Sequence, residues 1–364
     1  MPPPVHGVTV YNYNLLNSNL KAFFKIRHLD TSDHRNSENY NKLDLTNIYI
    51  GIKNIFSLLY YLLFFRPNIV YCAPAPYVKP FIRESIFILL SKILSNAKIV
   101  AHMHAGIFFY EDFYNKSNYF MKFTINKTLS ICDCGIVLGE NLIQHYSSFF
   151  KDIFFLWNGI NIEDEKIKIK PTKNDDKIII GYLSNLCEAK GILTFIKAIN
   201  NLPSEIMKKI KIRISGDWMH NEKNARNQFY KLLDINKFRS NISILKGIYS
   251  LDRKKKFYNN TDIFVFPSNM EAFGLVNLEA MYHECAVIST YEGAIPEVVI
   301  NGETGYLINK NDYIDLSDKL IRLINSPDRI IGFAKSGKER VLNNFTMQHN
   351  VDGLIDILNK ILGK

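Results

Sequence analysis

A chain of 364 residues with 47% hydrophobic and 22% charged side chains is too apolar to be disordered and long enough for two ordinary domains. Its 45 Lys and Arg exceed its 35 Asp and Glu, giving a net charge of +10. No nucleic-acid motif accompanies that charge, and it forms no stripe with stacking aromatics, so a nucleic-acid partner is excluded.

No apolar run reaches the roughly 18–20 residues a spanning helix needs. The longest, Ile55 to Phe65, has eleven residues. The start, MPPPVHG, lacks the charged and apolar regions of a secretion signal, so a cytoplasmic location is expected. Residues 51–100 then carry six Lys/Arg against one Glu, interleaved with apolar and aromatic side chains. Such a basic amphipathic segment suits an anionic membrane surface; the plainer reading is a pair of core-facing helices with solvated lysines.

Strands are predicted at Asn68–Cys72, Lys98–His102 and Cys134–Leu138, then at Lys177–Leu183, Lys211–Ser215, Ile242–Lys246, Ile263–Phe266 and Ala286–Ser289. Helical patterns fall at Gly191–Asn200, Arg253–Asn259 and Asp315–Ile324. Strand followed by helix, repeated, predicts parallel sheets with crossovers. The turn Trp157-Asn158-Gly159-Ile160 and the charged stretch EDEKIKIKPTKNDDK mark a boundary near 158–176. The reading is an α/β chain of two doubly wound, Rossmann-like domains, 1–158 and 159–345, with an active site expected in the cleft between them. A last helix, 346–364, follows. The five cysteines are scattered; the pair Cys132 and Cys134 lies in an apolar run and fits buried, reduced thiols better than a metal site.

The most informative stretch is residues 266–307, FPSNMEAFGLVNLEAMYHECAVISTYEGAIPEVVINGETGYL. Glu271 and Glu279 stand eight positions apart around Phe273-Gly274-Leu275. A helix starting near Gly274 puts both carboxylates around its N-terminal end, where open N–H groups and the dipole favour an anion. A phosphate resting on the Phe273–Leu275 amides, with both acids accepting sugar hydroxyls, is the chemistry of a nucleotide-sugar site.

This stretch resembles the donor-site signature of the retaining glycosyltransferases of family 4. Pro267-Ser268, Glu271, Glu279, Gly293-Ala294-Ile295-Pro296-Glu297 and Gly302-Glu303-Thr304-Gly305 fill its slots in order. The resemblance implies the GT-B fold, a terminal helix packed back on the first domain, retention of anomeric configuration and no metal or other cofactor. It implies that Glu271 holds the transferred sugar and Glu279 the ribose. Lys190, before Gly191 at a helix start, would bind the diphosphate. Tyr182 stands where the family carries an Arg, in a longer loop, and Ser184 and Asn185 are neutral donors in its place. His104, in His102-Met103-His104-Ala105-Gly106, would orient sugar or acceptor. Gly216 resembles a nucleotide-side turn, and Gly7, in Val5-His6-Gly7-Val8, the first domain's glycine loop. That loop opens the chain at once, so the first strand is expected to be missing.

The function expected is transfer of a sugar from a nucleoside-diphosphate sugar, UDP-sugar favoured, to a saccharide acceptor. The acceptor is expected to be lipid-linked at the inner membrane face, in assembly of capsule, O-antigen or exopolysaccharide. The alternatives are a GT-B epimerase or phosphorylase, and a catalytically degenerate GT-B subunit that binds a partner.

Overall fold

The computed structural model describes residues 7–31, 45–162 and 177–364. Two compact units divide the chain: unit 1 holds Met1–Asn161 and Met347–Lys364, and unit 2 holds Ile162–Thr346.

Unit 1 begins, among the described residues, with helices α1 (Gly7–Leu16) and α2 (Leu20–Phe23), then α3 (Leu45–Tyr60), which continues as a wider turn through Phe65. Strand β1 (Ile69–Cys72) follows, then α4 (Val78–Leu94), β2 (Lys98–Met103), α5 (Tyr119–Ser130), β3 (Cys134–Val137), α6 (Ile143–Tyr146) and β4 (Ile153–Phe155). The four strands pair in parallel in the order β1-β2-β3-β4. From Ile99 to Met103, β2 is buried throughout, as a parallel strand covered on both faces must be. Asn118 starts α5 by accepting from the Met121 amide at 2.9 Å, satisfying one open N–H of the first turn.

Gly7 is the first residue of α1 and is exposed; an added Cβ would meet nothing within 4 Å. The expectation of a glycine loop there is therefore corrected to a helix start: no described residue approaches it closely, so nothing described there needs a missing side chain. Val5 and His6 lie outside the described residues.

The α3 segment also departs from expectation. Leu45–Phe65 forms 21 helical residues, long and apolar enough to cross a membrane by length and composition, though little of it is buried. Counting uninterrupted apolar residues stopped at Asn54, but a helix tolerates isolated polar positions.

Unit 2 runs β5 (Ile178–Leu183), α7 (Ile192–Asn200), α8 (Ser204–Lys208), β6 (Ile210–Ser215), α9 (Lys223–Asp234), β7 (Ile242–Leu245), α10 (Leu251–Asn259), β8 (Ile263–Val265), α11 (Leu275–Tyr282), β9 (Ala286–Thr290), α12 (Ile295–Val298), β10 (Gly305–Ile308), α13 (Tyr313–Ile324) and α14 (Pro327–Asn344). Its parallel sheet has the order β10-β9-β8-β5-β6-β7. The chain builds outward from β5 through β6 and β7, then returns to the other side of β5 with β8. The order thus reverses between β5 and β8, paired at Ile180–Ile263 and Gly181–Phe264. At such a switch point the two following loops diverge and leave a crevice at the strands' carboxyl ends.

The core of unit 2 follows from the sequence periods. Ile210, Ile212 and Ile214 alternate along β6 and are buried. Leu316, Leu320, Leu323 and Ile324 recur at helical spacing along α13 and are also buried. Each such side chain contributes on the order of 1.5–3 kcal/mol on burial. Asp312 caps α13 by accepting from the Asp315 amide at 2.9 Å.

The last helix, α15 (Met347–Leu362), belongs to unit 1. Its Val351, Leu354, Ile355 and Leu358 join Tyr11, Leu15, Val100 and Ile136 in one cluster. The Met347 amide donates to the Ile160 carbonyl at 2.8 Å, and Asn350 Nδ2 to the Trp157 carbonyl at 2.6 Å.

Candidate functional site

The switch point of unit 2 is built by two loops, 184–191 after β5 and 266–274 after β8. Several backbone bonds stitch them together. The amides of Asn269 and Met270 both donate to the Ala189 carbonyl, at 2.9 and 3.1 Å. Ser268 Oγ lies 3.1 Å from the same carbonyl and 3.0 Å from that of Met270. The loops approach so closely at Gly191 that an added Cβ would stand 1.7 Å from the Pro267 carbonyl oxygen. Gly191 also has φ 72°, in the left-handed region. That explains the Lys-Gly pair physically: the glycine lets the loops meet, and the lysine before it is delivered to the second loop.

Lys190 Nζ donates to Glu271 Oε2 at 2.8 Å and to the Met270 carbonyl at 3.1 Å. Burial works against the ammonium, but the neighbouring Glu271 carboxylate dominates and holds the Lys190 pKa above the ordinary lysine value. Lys190 therefore stays charged, and its charge is partly spent on Glu271. The other Glu271 oxygen accepts from the Ala272 amide at 3.0 Å.

The loop is backed by Gly293, where an added Cβ would lie 2.2 Å from the Glu271 carbonyl oxygen. The Ala294 amide donates to the Ala272 carbonyl at 2.9 Å. This is why the Gly-x-x-Pro-Glu segment accompanies Glu271 in the sequence.

Gly274 ends the loop at φ 80° as the N-cap of α11, with no side chain capping the helix. Phe273 is buried and anchors the turn, its ring 6.1 Å from that of Phe345. Leu275 starts the helix, and no acid stands in its first turn. The end is therefore electrostatically open to an anion.

Glu279 lies in the second turn of α11. Lys254 Nζ donates to its Oε1 at 2.5 Å and Tyr258 Oη to its Oε2 at 2.8 Å, both from α10. Sequence reasoning assigned neither Lys254 nor Tyr258 to Glu279. Their spacing of four, which sets both on one face of α10, was the available signal.

Tyr182 is fully buried and stacks on Phe195 with 5.5 Å between centroids. Its hydroxyl donates to the Lys190 carbonyl at 3.0 Å. It braces the lysine's backbone from inside the core, which is the role of the Tyr that stands in the family's Arg position. A strand residue buried in the core points away from a strand-end ligand. The exposed side chain just beyond the strand is Asn185, beside the half-buried Ser184.

Gly216 is required by packing, since a Cβ there would stand 1.8 Å from the Ser184 carbonyl oxygen. Next to it, Asp217 accepts from Tyr249 Oη at 2.6 Å and from the Gly247 amide at 3.2 Å, which holds its carboxyl below the usual range.

In unit 1 the expected His104 follows β2. The residue is half-buried, but its Nε2 is sealed from solvent without a hydrogen-bond partner among the described residues. Its ring lies 4.0 Å from that of His102 and 4.8 Å from that of Tyr11. Burial pulls the His104 pKa down to about 3 and that of His102 well below the usual histidine value. Both are neutral imidazoles at neutral pH. Tyr71 Oη and His102 Nδ1 share a hydrogen bond. His104 thus stands at the carboxyl end of β2, as the sequence suggested, with its ring packed against Tyr11 of α1.

Among the described residues no three His, Cys, Asp or Glu side chains gather to form a metal-binding group. Cys132 and Cys134 are free and buried, with pKa values pushed up to about 12 by burial.

Two parallel-sheet α/β units, the second with a crevice at its switch point, have the architecture of the GT-B fold. Residues 163–340 match the family described as "Glycosyl transferases group 1". It is 26% identical over 259 residues to the capsular polysaccharide biosynthesis glycosyltransferase CapM of Staphylococcus aureus, covering 67% of this chain and 66% of that one. It is 29% identical over 185 residues to the lipopolysaccharide 1,2-N-acetylglucosaminetransferase of Salmonella typhimurium, covering 48% of each. The chain thus spans between about half and two thirds of these relatives' length. Among solved structures, Anabaena HepE in complex with UDP and glucose superposes with a TM-score of 0.70 at 15% identity, over 88% of this chain and 84% of that one, which establishes the shared fold.

Proposed function

We propose that the protein moves a sugar, with retention of anomeric configuration, from a nucleoside-diphosphate sugar to a saccharide acceptor in cell-surface polysaccharide assembly. UDP-sugars are the favoured donors, a lipid-linked saccharide is the favoured acceptor, and the cytoplasm is the proposed location. The observation that carries this reading is the Lys190–Glu271 pair across the switch point, 2.8 Å apart, beside the uncapped start of α11. The names of CapM and of the lipopolysaccharide transferase support the polysaccharide setting, and the UDP and glucose held by HepE support the donor class.

The chemistry follows from charge. Breaking the sugar–phosphate bond leaves a diphosphate that gains negative charge. Lys190 and the α11 amides neutralise it where it forms, and an arriving phosphate competes with Glu271 for the ammonium. Glu271, released from that bond, accepts hydroxyls of the transferred sugar. Glu279, held by Lys254 and Tyr258, accepts from the ribose. Ser184 and Asn185 donate neutral hydrogen bonds to the phosphates, and the charge is balanced by protein groups without a metal. His104 acts as a neutral hydrogen-bonding group rather than a base, as its depressed pKa requires.

The test is donor binding and slow donor hydrolysis over UDP-, GDP- and ADP-sugars, with Lys190→Ala and Glu279→Ala alongside, each with and without EDTA. Tight binding of one donor, lost in both variants and unaffected by EDTA, is the expected result. A folded protein that binds none of them is instead a degenerate subunit.

A further inference from the structure

Among the described residues, unit 1 presents an apolar face on consecutive helices that no other element covers. On α3 and its continuation, Leu45, Ile48, Tyr49, Ile52, Phe56 and Tyr60 recur at helical spacing, and all are exposed. Leu63 and Phe64 extend the stripe. The opposite side of the same helix carries the buried residues Asn54, Leu58 and Leu62. The helix is therefore seated in the fold by one side while its more apolar side faces outward.

On α4, Val78, Ile82, Ile86, Leu89 and Ile93 repeat the pattern, also exposed, over a buried Phe81 and Ile88. α3 packs on α4, and α4 packs on α5. The α5 end adds Tyr119, Phe120 and Phe123, which are 86%, 72% and 52% exposed. Such a run of large side chains exceeds the isolated apolar residues ordinary on a soluble surface.

We infer that this face is a docking surface for an anionic lipid bilayer, with α3 and α4 lying in the plane of the membrane interface. Charge selects this occupant. Residues 45–94 hold Lys53, Arg66, Lys79, Arg83 and Lys92 against Glu84 alone, and α5 adds Lys122 and Lys127 with no acid. Glu84 is turned inward, accepting from the Ala75 amide at 2.7 Å and from Arg83 at 3.3 Å. Lys92 is tied to Asp133 at 3.2 Å, while Lys53, Arg66 and the two lysines of α5 add positive charge at the rim. Lys25 and Arg27 stand over the Phe65 ring at 5.7 and 5.5 Å. A second copy of this chain would bring the same positive surplus against itself, whereas an anionic headgroup layer matches it.

The apolar stripes set the contact apart from a purely electrostatic one. Burying them in the acyl boundary supplies most of the attraction, and the rim lysines supply the preference for anionic lipid. The helix lies on the membrane rather than crossing it because Leu58 and Leu62 are committed to the fold. This surface is independent of the donor site, so the two proposals fail separately.

The experiment is flotation with vesicles of phosphatidylcholine alone and of an equimolar phosphatidylcholine–phosphatidylglycerol mixture, read beside light scattering of the lipid-free protein. The wild type is expected to float with the anionic vesicles and less with the neutral ones. The double variant Phe56→Glu, Ile86→Glu is expected to partition at least about tenfold less, since two apolar contacts become two repelled charges. These side chains are 68% and 43% exposed, so far-UV circular dichroism and the urea midpoint should be unchanged. Absence of flotation by the wild type, or undiminished flotation of the variant, overturns the inference. A soluble wild-type dimer made monomeric by the variant also overturns it, and assigns the face to a second copy.

Discussion

The two sheets treat the polar residues at their strand ends in opposite ways. In unit 2 the strand order reverses between β5 and β8, the following loops part, and Lys190, Glu271 and Glu279 stand half-buried with their charges held. In unit 1 the described order β1-β2-β3-β4 never reverses, and His102 and His104 at the end of β2 are packed against Tyr11 as neutral rings. A strand end becomes a charged site only where topology leaves a gap. Without one, burial removes the charge from the same kind of residue.

The sharpest way to break this contrast is to close the gap. Gly191→Ala drives a Cβ into the Pro267 carbonyl at a left-handed backbone position. It should cost on the order of 4 kcal/mol in urea unfolding and abolish donor binding. A variant as stable as the wild type would show that the loops can part without loss.

Next in size is the charge itself. Lys190→Ala should lower kcat for donor turnover by about 10²–10³, the loss of a leaving-group donor worth about 2.7–4 kcal/mol. A change confined to KM would place Lys190 in ground-state binding only.

The buried side of the contrast is tested with pH. His104 has a folded pKa of about 3 against 6.5 for the ordinary group, so between these values the unfolded chain binds the extra proton. Stability therefore falls as the solution is acidified below pH 6.5, by roughly 2–3 kcal/mol at pH 4.5 from this residue. Urea midpoints of wild type and His104→Asn at pH 7 and 4.5 measure it; equal acid losses in both would mean that His104 is not held neutral.

The smallest effect sharpens the positioning of Glu279. Tyr258→Phe removes one of its two anchors and should weaken donor binding by about threefold to tenfold, near 1 kcal/mol, in calorimetry.

Much of this architecture is legible in the sequence where backbone demands leave marks. Gly191, Gly274 and Gly293 are each forced by φ or by close approach, and the acids and lysine they position fall at fixed spacings around them. All eight predicted strands are present within a residue or two. Two strands were missed, Ile153–Phe155 and Gly305–Ile308, the second emerging directly from a glycine turn. The inward direction of Tyr182 was not legible because β5 is covered on both faces, so alternation gives no direction to its side chains. α1 left no recognisable mark, its residues GVTVYNYNLL having no polar face opposite an apolar one, and the sealing of His104 depends on it. The outward stripes of α3 and α4 left two readings open, membrane-facing or core-facing, because periodicity reports that a helix has an apolar side, not what that side meets.

The return of α15 to unit 1 has a consequence for how the chain is made. Unit 2 is continuous from Ile162 to Thr346, so every part of its core is translated before α15. The core of unit 1 needs Val351, Leu354, Ile355 and Leu358, which are translated after all of unit 2. The nascent first unit therefore waits with the surface of Val100 and Ile136 unsealed while the second matures, and the order of completion is the reverse of the order of translation.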